Sequence, residues 1–251
     1  MCISARASII SFLVNLVSCV ALVKYGNNNL KFYNTTIGIW MVYVSIMQFV
    51  DYGIWIDLDC KSGMNKLATI LGPVLNHTQP LAIFGIAYFL LNYTTLGREF
   101  YNSQLKSQEN GLFKHFNIAK GGLNFIKIMN IVYAVFLVIA LGQFYIRGSS
   151  SNPELLCSKV CSYNSSLSWS WNNKNLLLIA FTVLWHIFII NSISINPKSN
   201  YIKFFVILIY SLLLLSFYLK NKNAGEFWCY IVNFGGLVFL IVQKLFSKYL
   251  N

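Results

Sequence analysis

The stretch Thr36–Ile56 reads TIGIWMVYVSIMQFVDYGIWI, and its one charged residue is Asp51. Its length suits a single bilayer crossing, which takes about 20 mostly apolar residues. A carboxylate at that depth is costly. It therefore faces a cavity or another polar group, and often marks function. The next apolar stretch, Leu67–Tyr93, carries Asn76-His77-Thr78-Gln79-Pro80 near its middle. Two successive spans thus hold polar groups where hydrocarbon is expected. The fold these residues ask for is a helical membrane bundle with a polar pocket inside it.

Composition agrees with that reading. The chain is 57% hydrophobic and 10% charged, whereas soluble domains average about 25% charged residues. Its apolar residues run in continuous blocks, while the strands of membrane barrels alternate. Seven segments qualify as spans: Ala7–Val23, Thr36–Ile56, Leu67–Tyr93, Phe125–Ile146, Asn175–Ile195, Ile202–Leu219 and Phe227–Leu245. The expected architecture is all-α, a seven-transmembrane-helix bundle forming one membrane domain over residues 1–251. The third segment is the longest. It can tilt, run past the bilayer, or kink at Pro80. Arg6 and the run up to Leu16-Val17-Ser18-Cys19 also have the look of a signal peptide. A first transmembrane helix is the plainer account, because Lys24 and a second span follow at once.

The formal charge is +12. Lys and Arg fall in the gaps between apolar blocks, which fits a membrane surface better than nucleic acid. The N-terminal side with the second, fourth and sixth loops holds eight of them, and the opposite face holds eleven. The excess places the N-terminus outside and the C-terminus in the cytoplasm. Cys60, Cys157 and Cys161 then share the outer face, where a Cys60 bridge to either of the others would tie the second loop to the fourth. The pairing stays open at this point. Cys157 and Cys161 are spaced like half a metal site, but no second pair or nearby His completes one, so disulfide bonding is expected and no metal. Asn164 begins a glycosylation sequon on the same face. The sequons at Asn34 and Asn92 would face the cytoplasm and stay unused.

Ser45, Gln48, Asp51, Tyr52 and Trp55 recur at helical spacing and share one face, opposite Ile39, Met47, Val50 and Ile54. Counted from the outer ends of their segments, Asp51 and Asn76 reach similar depth, so bonds such as Gln48 to Asn76 or Asp51 to His77 are expected. Pro80 cannot donate its amide and would free the Asn76 carbonyl. His186 lies near the centre of the fifth segment. The pocket candidates are therefore Gln48, Asp51, Tyr52, Asn76, His77, Gln79 and His186. The same residues can instead serve as glue between helices. Gly235-Gly236 would allow a close helix approach. Trp169 and Trp171 fit an interfacial anchor.

Familiar seven-helix signatures are missing. No Lys lies in the middle of the seventh segment, as retinal proteins of the microbial type require. Neither Asp-Arg-Tyr nor Asn-Pro-x-x-Tyr occurs at the receptor positions. Gln79-Pro80 has no second copy, as PQ-loop transporters would need. Intramembrane His are too few for a zinc hydrolase of the ceramidase kind, and no Gly-x-Ser-x-Gly is present. No catalytic set and no cofactor is expected.

Met47-Gln48, Asp51, Trp55, Cys60, Asn65 and Gln79-Pro80 together resemble an uncharacterised family of multi-pass membrane proteins found in large DNA viruses and protists. Trp169 and Trp171 belong to the same pattern. Asp51 stands where that pattern has Glu. The resemblance implies a membrane fold, a possible viral setting and no particular activity. The expected partners are the lipid bilayer and a small polar solute or ion. The expected function is transport or channelling through the pocket between the second and third helices. The alternatives are a ligand-sensing, receptor-like protein and a structural or membrane-remodelling protein.

Overall fold

The computed structural model describes residues 4–105, 123–150, 156–160, 167–168 and 234–245. Helix α1 (Ala5–Tyr25) begins where the Ser4 hydroxyl accepts the Ala7 N–H at 3.2 Å, which satisfies one of the donors a helix start leaves open. It ends at Gly26. One tight turn, Asn28–Leu30, leads into α2 (Lys31–Ser45). A single turn at Ile46 separates α2 from α3 (Met47–Trp55). There the Ser45 hydroxyl bonds back to the Val42 carbonyl at 2.7 Å, a contact that commonly bends a helix. The order continues with α4 (Met64–His77), α5 (Gln79–Tyr93), α6 (Thr95–Leu105) and α7 (Leu123–Ser150). A short antiparallel pairing of β1 (Lys159–Val160) with β2 (Leu167–Ser168) follows, and then α8 (Gly235–Leu245).

The described residues are thus predominantly helical, as an all-α chain should be. Among the described residues, three helices are long and apolar enough to cross a membrane: Ala5–Tyr25, Asn28–Trp55 and Ile126–Ile146. The pair α4 and α5 makes a fourth span if counted as one, bent by 55°. These match the first four expected segments. The segments expected at 175–195 and 202–219, the start of the seventh, and Trp169 and Trp171 lie outside the described residues.

The bend falls where the third segment was expected to kink. Pro80 opens α5, and a proline biases the residue before it away from helix. Its missing N–H and bulky ring break the ladder. Pro73 sits inside α4 as a second interruption.

The central layer is α2 with α3, packed against α1, α4 and α5. The side of α3 bearing Met47, Val50 and Ile54 is as buried as the polar side, and of the expected apolar face only Ile39 is exposed. Because α3 lies between α1 and α4, both of its faces meet protein. Helix α8 closes on α1. A Cβ added at Gly236 would lie 3.0–3.2 Å from the backbone of Ser18 and Cys19, so the close approach expected of Gly235-Gly236 is present. At the end of that contact, Gln243 exchanges side-chain hydrogen bonds with Asn34 and accepts the Asn27 N–H at 2.9 Å.

Candidate functional site

Among the described residues two polar regions stand out, one around α3 and the break between α4 and α5, the other where α3 ends and α4 begins.

In the first, Gln48 and Asp51 are buried on α3, and His77 and Gln79 are buried at the break between α4 and α5. Tyr52 and Asn76 are half-buried. Gln48, Asp51, His77 and Gln79 each make further interactions, so none is without a partner. The Gln79 side-chain amide reaches the Asn76 side-chain oxygen at 3.5 Å. His186 lies outside the described residues.

Helix register separates these groups along the bundle. A Cβ on Gly53 would lie 3.2 Å from that of Ala68, and the Tyr43 hydroxyl meets the Thr78 hydroxyl at 2.6 Å. Interpolated between those two pairs, Asp51 stands level with Ile70 and Gln48 with Pro73. His77 is about two helical turns, or ~10 Å, further along. Asn76, expected at a depth similar to that of Asp51, therefore stands nearly two turns away. Part of the offset arises because α4 begins at Met64, ahead of the first residue of the apolar segment, Leu67, a shift of about 4.5 Å along the helix.

The break is held by side chains from two other helices. The Trp40 indole N–H donates to the Gln79 carbonyl at 3.0 Å, and the Tyr133 hydroxyl donates to the His77 carbonyl at 2.6 Å. Two turns earlier in α4, the Tyr145 hydroxyl donates to the Ile70 carbonyl at 2.6 Å. In hydrocarbon every backbone polar group needs such a partner, and neighbouring helices supply them where prolines interrupt the ladder. The Asn76 carbonyl has no N–H of Pro80 to accept; the carbonyl bonded by α7 is that of the next residue, His77.

The second region was only partly foreseen. Cys60 and Cys157 form a disulfide with their Cα atoms 6.2 Å apart. This resolves the open pairing, and Cys161 and Asn164 lie outside the described residues. Cys60 has φ +58, a left-handed conformation uncommon for residues other than glycine. Its N–H donates to the Asp57 carbonyl at 3.0 Å. The Asp57 carboxylate accepts the main-chain N–H groups of Asn65 at 3.0 Å and Ser62 at 2.9 Å. These bonds, Asn65 first, hold its pKa at about 2, below the ordinary 3.8. The charge also lies against the N-terminus of α4, where helix dipoles favour an anion. Helix α4 has no capping side chain of its own at Gly63, so Asp57 performs that task from six residues upstream.

Asn65 then grips the other loop. Its side-chain amide donates to the Ser158 carbonyl at 2.8 Å, and its side-chain oxygen accepts the Ser158 N–H at 2.9 Å. The Thr69 hydroxyl bonds both the Asn65 oxygen, at 3.0 Å, and the Ser158 hydroxyl, at 2.9 Å. Asn65, Thr69 and Ser158 are fully buried. Sequence reasoning singled out Cys60, Cys157 and Asn65 but missed Asp57, Thr69 and Ser158. The available signal was an Asp one turn before a Cys and a few residues before a helix start that lacks a capping side chain.

Among the described residues, no three His, Cys, Asp or Glu side chains come together as metal ligands would. Set against family models, curated proteins and solved structures, the chain has no match.

Proposed function

We propose that this integral membrane protein moves a small polar solute or an ion through its bundle, with Asp51 and Gln48 on the path. The observation that carries this reading is a buried carboxylate, Asp51, on a helix packed against a span that is bent by 55° at His77-Thr78-Gln79. Broken helices with polar groups near the bilayer midplane are how many transporters build their sites, and intramembrane carboxylates commonly mark ion or proton pathways. In this reading the bundle has seven spans, the N-terminus is outside, and the disulfide lies on the oxidising face. The protein would belong with the multi-pass family of large DNA viruses and protists that its Met47-Gln48 to Gln79-Pro80 pattern resembles.

The test is flux in proteoliposomes across a panel of monovalent cations, protons and small polar solutes, comparing wild type with D51N. Transport that D51N abolishes supports the reading. Transport that D51N leaves intact removes Asp51 from the path.

One observation favours a second reading, a structural or membrane-remodelling protein. The carbonyls at the break are occupied by Trp40 and Tyr133, as they would be in a bundle built for rigidity. Absence of flux for every solute tried, with a folded and stable protein, would favour that reading.

A further inference from the structure

We infer that Asn65 is the positioning residue that selects Cys157, rather than Cys161, as the disulfide partner of Cys60. Cys157 and Cys161 lie four residues apart in one loop, so either could in principle be brought to Cys60. Something must fix the register of that loop before the sulfurs join.

Asn65 is placed to do so. Its amide pairs with both main-chain groups of Ser158 at 2.8 and 2.9 Å, the way one strand residue reads another. Ser158 directly follows Cys157, so fixing Ser158 fixes Cys157. The Thr69 hydroxyl adds a check on the side chain, because it bonds the Ser158 hydroxyl at 2.9 Å. The grip is dry: Asn65, Thr69 and Ser158 are each 0% exposed. Buried polar groups left unpaired are costly, so a slipped loop that offered Asn65 a misplaced main chain would be rejected. Asp57 links the two halves. It holds the Asn65 N–H with its carboxylate and the Cys60 N–H with its carbonyl, each at 3.0 Å. Cys60 and the reader of Cys157 therefore hang from the same residue.

The bond itself forms by thiol–disulfide exchange with an oxidised dithiol carrier of the secretory compartment. The thiolate of one cysteine attacks the carrier disulfide and gives a mixed disulfide. The second thiolate displaces the carrier. The Cys60 and Cys157 thiols lose two hydrogens between them, and the carrier leaves as a dithiol.

The test maps disulfides in the full-length protein by alkylating free thiols, digesting without reductant and identifying linked peptides. Wild type should give the 60–157 link. N65A and N65D should raise the 60–161 link or free Cys157 at least tenfold, because N65D keeps an acceptor for the Ser158 N–H but loses the donor to its carbonyl. S158A keeps both main-chain bonds and should pair as wild type does. Adding C161S to N65A removes the competing thiol and should restore the 60–157 link, which a general folding defect would not allow. If N65A and N65D give the 60–157 link as cleanly as wild type, the inference is wrong. It is equally overturned if N65A with C161S still fails to form that link.

Discussion

The hydroxyl of Tyr133 donates to the main-chain carbonyl of His77 at 2.6 Å, three residues before Pro80. Tyr145 does the same for Ile70, three residues before Pro73. Both tyrosines belong to α7, and both carbonyls lie on turns that a proline has opened. One helix thus repairs two interruptions of its neighbour. Replacing either tyrosine by phenylalanine should cost roughly 0.5–1.5 kcal/mol, the usual worth of one hydrogen bond. The two losses should add within about 0.5 kcal/mol, because the sites share no partner. Unfolding by denaturing detergent in mixed micelles gives the measurement. No change in Y133F would mean the bend is held without this bond.

Gly236 tests the contact between α1 and α8. G236A places a methyl against the Ser18 and Cys19 backbone, which cannot move aside as a side chain could. We expect a loss of about 1–3 kcal/mol, the range for overpacking. Gly142, which has open space around its Cβ position, provides the control: G142A should be neutral or slightly stabilising, since alanine favours helix over glycine. Equal effects of the two substitutions would refute the close approach.

Asp57 predicts an acid limb in stability. Its carboxyl is held at about 2 when folded, below the ordinary 3.8. A lowered folded pKa means its contribution is complete above the unfolded value and is lost as pH falls through the folded one. The melting temperature of wild type, minus that of D57N, should therefore be constant above about pH 5 and shrink between about pH 4 and pH 2. A difference that stays constant down to pH 2 would show that the carboxylate is not bonded as described.

The disulfide closes a loop of 97 residues. C60S or reduction should lower stability by roughly 2–5 kcal/mol. The Asn65 grip on Ser158 remains in that variant, so the loop should stay docked. Protection of the Ser158 amide from hydrogen exchange, retained after reduction, is the readout. Loss of that protection would make the bridge, not the grip, the primary tether.

Much of the fold was legible in the sequence because lipid imposes long apolar runs. The expected spans at Ala7–Val23 and Phe125–Ile146 each fall within one helix, and those at Thr36–Ile56 and Leu67–Tyr93 each run through two helices joined at a break. The kink at Pro80 and the close approach at Gly236 were legible too, since each depends on the one residue type that permits it. Helix ends were harder. Helix α4 starts at Met64, in polar sequence, because Asp57 caps it from a distance, and hydropathy cannot register a cap. That small error accounts for about one turn of the offset between Asp51 and His77. The stitching by Tyr133, Tyr145 and Trp40 was hidden for a different reason. An aromatic residue on an apolar helix reads as packing, and nothing in its own sequence tells which carbonyl its polar tip will meet.

The contact of α8 with α1 has a consequence for how the protein is made. Asn27 and Gln243, which bond at the end of that contact, are 216 residues apart in the chain. At ordinary synthesis speeds the ribosome needs on the order of 10–40 s to cover that distance. Throughout that interval the contact of Gly236 with the Ser18 and Cys19 backbone cannot form. Folding of the early helices and closure by α8 are therefore separate events, and a chain interrupted before α8 is made would lack that closing contact.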